Sequence, residues 1–89
     1  MNTTVAKRIE FQGKAKAKYG NKIILFRDCD FYFMYNEDAN ILSTEIGVTR
    51  VTSIDGDFTY AVIPARRLDQ YLPAIIRHGH QVAICDGTF

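Results

Sequence analysis

Apolar positions along this chain switch between a helical and an extended period, and the switches outline alternating helices and strands. Val5, Ile9 and the Lys14-Ala15-Lys16-Ala17-Lys18 stretch read as a helix opened by Thr3 or Thr4 as N-cap and closed at Gly20, with Gly13 a weak point inside it. Residues 22–28, built around Ile23-Ile24-Leu25-Phe26, read as a strand, and a second strand starts at Cys29 or Phe31 and runs to Tyr35. Asn36 stands where an N-cap belongs. Glu37 and Asp38 suit the positive end of a helix dipole, and Ala39, Leu42 and Ile46 supply that helix's apolar face before Gly47 ends it. Residues 48–54 and 58–63 flank Asp55-Gly56-Asp57, a hairpin signal.

Beyond Pro64, the positions Leu68, Leu72, Ile75 and Ile76 recur at helical spacing up to Gly79. Pro73 interrupts this run. An interior proline removes one backbone hydrogen bond at a cost of about 3 kcal/mol, which predicts a kink or a new first turn after Gln70. The last apolar run, residues 81–85, is expected inside the sheet, with Val82 and Ile84 buried alongside Ile24 and Phe26. Together these segments predict an α/β (α+β) layer fold: a mixed β-sheet of about five strands covered by about three helices. A chain of 89 residues is one domain, residues 1–89, with about the first four expected as a flexible terminus.

One segment does not fit an ordinary half-buried strand. Asp30-Phe31-Tyr32-Phe33-Met34-Tyr35 places four aromatics within five positions. On an extended strand Phe31, Phe33 and Tyr35 project to one face and Tyr32 and Met34 to the other. One face is core; the other needs a partner, and Phe31 at the strand's start is expected to stand partly open.

Charge sharpens that picture. Net charge is only +1, with 47% hydrophobic and 24% charged residues, an ordinary globular balance. Its distribution is uneven. Through Arg27 there are seven basic residues against the single acid Glu10, and afterwards four arginines against nine acids. The basic segment leads into the aromatic strand, combining phosphate neutralisation with a stacking platform, so Lys14, Lys16 and Lys18 are candidate nucleic-acid contacts. Arg66-Arg67, just past the Pro64 bend, is the candidate second phosphate contact. The same Lys/Ala segment also reads as a solvated helix with nothing bound.

Other chemistries find little support. No Gly-x-x-x-x-Gly-Lys-Ser/Thr loop is present, so neither nucleotide binding nor hydrolysis is expected. Cys29 and Cys85 lack metal-ligand spacing, and the acids beside Cys29 disfavour its thiolate. His78 and His80 flank Gly79 without a ligand cluster around them, so no metal and no other cofactor is expected. No nucleophile–base or paired-acid arrangement is recognisable, which argues against an enzyme. The N-terminus reaches charge before any signal-like apolar run, and no stretch approaches a membrane span, so no membrane association and a cytoplasmic location are expected.

The stretch from Ile24 to Ala39, with Asp30-Phe31-Tyr32 leading into a strand and then an acidic helix, resembles the N-terminal mismatch-recognition domain of the MutS family. Ile46-Gly47-Val48-Thr49, Ile63-Pro64, Tyr71-Leu72, and Gly79 followed by Val82-Ala83-Ile84-Cys85-Asp86 are similar to that family's later elements, in the same order. The resemblance covers about three quarters of the chain and implies a double-stranded DNA partner. In that family a Phe-X-Glu motif stacks its Phe on a mispaired base, and its Glu accepts a hydrogen bond from that base. Phe31 matches the Phe, but Phe33 stands at the Glu position, and a phenyl ring offers no such acceptor. The resemblance therefore implies stacking or wedging by Phe31 and Phe33 without directional readout, and Phe33→Glu is expected to cost little stability if Phe33 stands open. A protein-interaction or self-association module, with a homodimer or another chain as partner, remains the alternative. Whether the chain is freestanding or part of a longer protein also stays open.

Overall fold

The computed structural model describes residues 1–87. Helix α1 (Thr3–Tyr19) leads to strands β1 (Ile23–Asp28) and β2 (Phe31–Tyr35), helix α2 (Glu37–Ile46), strands β3 (Arg50–Thr52) and β4 (Thr59–Pro64), a 3₁₀ turn at Ala65–Arg67, helix α3 (Leu68–Arg77) and strand β5 (Val82–Cys85). The sheet order is β3-β4-β2-β1-β5. All neighbours are antiparallel except β1 and β5, which pair in parallel, so the sheet is mixed, as expected.

Strand alternation divides the apolar residues between two layers. Ile23, Leu25, Tyr32, Met34, Ala61 and Ile63 face α2 and α3, where Ala39, Leu42 and Ile75 complete a fully buried cluster. Ile24, Phe26 and Tyr35 face α1, with Val5, Ile9, Phe33, Phe58 and Tyr60 around them. Both faces of β2 are therefore used, which explains its unbroken run of large apolar and aromatic side chains.

Helix α1 docks in an unusual way. The stripe it turns toward the sheet includes Arg8, Gln12 and Lys16, spaced one turn apart, and all three lie buried or nearly so. Arg8 donates to the Asp28 carboxylate and to the Tyr35 hydroxyl, both at 2.9 Å. Gln12 donates to the Tyr35 carbonyl at 3.1 Å. Lys16 reaches the Asp38 carboxylate and the Lys22 carbonyl, both at 2.7 Å. Arg8 holds Asp28 below the usual carboxylate range, through that hydrogen bond first. Burial pushes the Tyr35 phenol up and also raises Asp38, although Lys16 and the Ile24 N–H pull Asp38 the other way.

Several local expectations change. Asn2, not Thr3 or Thr4, caps α1, accepting from the Val5 N–H at 2.8 Å. Asn36 makes no side-chain cap bond; its backbone sits at φ 51°, and its side-chain carbonyl instead accepts from the Thr59 N–H, tying α2's start to β4. Gly47 does close α2 in the left-handed region, where the Val48 N–H returns to the Leu42 carbonyl. β3 and β4 are joined by a loop over residues 53–58 because the Ser53 hydroxyl and backbone close it against Phe58, which shortens β3 to three residues. Pro73 lies exposed within a continuous α3.

The largest correction concerns β5. It forms the sheet's edge rather than its interior, so Ile84 is 49% exposed and Val82 only half-buried, whereas Ile24 and Phe26 are buried as expected. An apolar run signals burial but not which neighbours a strand will have; pairing on one side only leaves the outer half open. Among the described residues, no helix is long and apolar enough to cross a membrane.

Candidate nucleic-acid interface

The two-residue connection between β1 and β2 builds one corner of the sheet. Register pairs Asp28 with Phe31, leaving Cys29 and Asp30 as the turn, and Cys29 adopts φ 52°. A positive φ at the first central residue matches the right-handed twist of the flanking strands, although a side chain there is strained. On its other side β2 pairs Phe31 with Pro64, after which the chain leaves the sheet. The Ala65 N–H donates to the Asp30 carbonyl at 2.7 Å and locks the 3₁₀ turn against the β1–β2 turn.

Between them lies an open groove of about 600 Å³, lined by Arg27, Asp30, Phe31, Pro64, Ala65 and Arg66. Phe31 is 44% exposed at its edge. Arg66 and Arg67 are both exposed, on the turn that follows Pro64. Arg27 is held in place: its Nε donates to the Cys29 carbonyl at 2.6 Å and its Nη1 to the Tyr32 hydroxyl at 3.1 Å, with the guanidinium 5.2 Å from the Tyr32 ring centre. Sequence reasoning counted Arg27 only as part of the basic segment. The signal that finds it is register, since Arg27 lies opposite Tyr32, one pair away from Phe31.

Phe33 follows Phe31 on the same face but is half-buried, with the Arg8 guanidinium 5.5 Å from its ring centre. It lines a separate small depression with Val5, Tyr35, Phe58 and Tyr60. The α1 lysines do not join the groove. Lys16 is fixed on buried Asp38. Lys14 is exposed and paired with Glu10 at 2.8 Å, and Lys18 lies 5.2 Å from the Tyr19 ring centre. This end of α1 packs near Lys22, Ile24 and Ala83, at the opposite end of β1 from Asp28 and Phe31. His78 and His80 converge on Glu45, well apart in sequence from this corner, and among the described residues no group of three His, Cys, Asp or Glu side chains could hold a metal ion.

The sheet corner thus presents one half-open ring beside exposed guanidinium groups on a tight turn, on a three-layer α/β/α domain. The family model for MutS domain I matches residues 8–88, and the chain belongs to that family. It is 43% identical over 74 residues to the DNA mismatch repair protein MutS of Phocaeicola vulgatus, covering 80% of this chain and 8% of that protein. With the MutS protein of Methanococcoides burtonii it shares 41% identity over 76 residues, covering 81% and 9%. The Fusobacterium nucleatum MutS protein is 40% identical over 76 residues, covering 82% and 8%. The chain thus spans less than a tenth of the length of the curated relatives it matches.

Proposed function

We propose that this chain is a DNA-contacting module of the mismatch-recognition type, which presses Phe31 against a deformable base step while Arg66 and Arg67 neutralise flanking phosphates. The observation that carries this reading is the exposed Phe31 ring at the corner of a groove shared with Arg66. A ring wedged between base pairs partially unstacks them and bends the duplex, and the cost is lowest where the step is already weak. Because Phe33 occupies the position of the base-contacting carboxylate, the module discriminates by deformability alone and prefers mismatched over matched duplex only slightly.

Affinity of the isolated chain should fall in the range of ~10⁻⁴–10⁻⁶ M typical of non-specific binding at physiological salt. The deciding experiment titrates the chain against matched duplex, mismatched duplex and single strands at two salt concentrations. Arg66→Gln with Arg67→Gln is expected to lower affinity for all duplexes alike and to reduce the salt slope by about 0.9 per lost phosphate contact. An unchanged slope would remove both arginines from the interface.

Phe33→Glu tests the specificity statement. Phe33 packs over Arg8 rather than standing free, so the substitution removes half-buried apolar area and is expected to cost about 1–2 kcal/mol, more than a surface change. The new carboxylate has the Arg8 guanidinium beside it, and pairing there keeps it from a base. The expected outcome is a lowered melting temperature and a mismatch-to-match affinity ratio that stays near one. A large rise in that ratio would show that the carboxylate escapes Arg8.

A further inference from the structure

We infer that the open edge of β5 is a self-pairing site: two copies of this chain add β5 to β5 antiparallel, making one continuous sheet. Among the described residues nothing pairs with the outer side of β5. The edge lacks the devices that usually blunt one, for Val82-Ala83-Ile84-Cys85 contains no charge, no proline and no bulge. By contrast, the opposite edge, β3, is short and carries Arg50 and Thr52. Exposed apolar groups flank β5 on both sheet faces. Ile84 is 49% exposed on the α3 face, and Tyr19, 62% exposed, shares a small depression with Ala83 on the α1 face.

Hydrogen-bond phase selects the occupant and its register. The Gln81 carbonyl accepts from the Ile23 N–H at 2.8 Å, so the backbone groups of residues 81, 83 and 85 turn toward β1. Those of Val82 and Ile84 turn outward and lack a strand partner. In a two-fold antiparallel pair, a register centred on Ala83 sets Val82 opposite Ile84 of the second copy, and the reverse, so that all four outward groups of each chain bond. The same register covers each half-open Ile84 with a Val82 side chain. It places alanine against alanine on the axis, where the closest approach falls, and His80 opposite Asp86 of the second copy. Any extended strand can satisfy the backbone groups, but the matches of Val82 with Ile84, Ala83 with Ala83 and His80 with Asp86 belong to a second copy. Because β5 runs parallel to β1, the two Phe31 corners then lie at opposite ends of the joined sheet, so neither groove is covered.

Sedimentation equilibrium of the chain from micromolar to millimolar concentration tests this, together with amide hydrogen exchange. The expected result is a reversible monomer–dimer equilibrium in which the Val82 and Ile84 amides gain protection as the dimer forms. Ile84→Lys, which sets a charge on the exposed side of the edge, is expected to abolish the dimer while circular dichroism shows the fold retained. A chain that remains monomeric at millimolar concentration overturns the proposal, as does a dimer that Ile84→Lys leaves intact. Concentration-independent protection of the same amides in a monomer overturns it too, since the edge would then be covered within one chain.

Discussion

Asp38→Ala is expected to destabilise the domain by about 3–5 kcal/mol, the usual cost of removing one partner from a buried ion pair. Asp38 is fully enclosed; one carboxylate oxygen lies 2.7 Å from the Lys16 ammonium and the other accepts from the Ile24 N–H at 3.0 Å. Its loss leaves Lys16 with only the Lys22 carbonyl and leaves a buried backbone donor on β1 unsatisfied. Replacing both members together, Lys16→Met with Asp38→Leu, should recover only part of the loss: the apolar pair carries no charge to desolvate, but the Ile24 N–H still lacks its acceptor. Urea unfolding of the three proteins checks this, and a loss below about 1 kcal/mol for the single substitution would show that the pair is not a buried anchor.

The pH dependence carries a distinct signature. Burial raises the Asp38 carboxyl above its ordinary value, so the folded state holds that proton more tightly than the unfolded chain does. Its contribution is fullest below the ordinary carboxylate value and declines as pH rises through the raised one. Asp28, lowered by Arg8, works in the opposite direction: its contribution is present above the ordinary value and is lost as pH falls through the lowered one. The stability difference between the unmodified chain and Asp38→Asn should therefore shrink with rising pH across the Asp38 window.

Phe31→Ala is expected to weaken duplex binding by about 1–3 kcal/mol, roughly fivefold to 150-fold, the range found for removing one base-stacking ring. Stability should change far less, since the ring is 44% exposed and packs at a corner rather than in either core cluster. Phe31→Tyr keeps the ring and should keep most of the affinity. Fluorescence anisotropy on a labelled duplex, with thermal unfolding as a control, separates the two effects. Binding that survives the alanine substitution would move the contact away from this corner.

Legibility in the sequence followed the range of each signal. The span of β2 was readable from its aromatic run, and the end of α2 from Gly47, because strand alternation and a left-handed cap are set within a few residues. The inward turn of Lys16 was not readable, since its partner Asp38 lies 22 positions away and meets it only after the sheet forms. Asn36 looked like a cap for the same local reason, but Thr59 from β4 competes for its side chain. The edge position of β5 is a property of strand order, which an apolar run of four cannot encode. For the candidate site, Phe31 and Arg66 were legible as residues, whereas their shared groove depends on the Asp30–Ala65 hydrogen bond between two turns.

The stripe of Arg8, Gln12 and Lys16 also indexes α1. A helix held by aliphatic side chains can slide by a turn, about 5.4 Å, and still find oil against oil. Here each turn presents a different polar head to a different acceptor, so a slip of one turn sets Gln12 against Asp28 and strands an ammonium beneath Tyr35. The helix has one seat, like a key whose cuts match one lock. Because Arg8 grips Asp28, the strand residue opposite Phe31, the keyed seat of α1 is tied directly to the end of the sheet that carries that ring, some two dozen positions later in the chain.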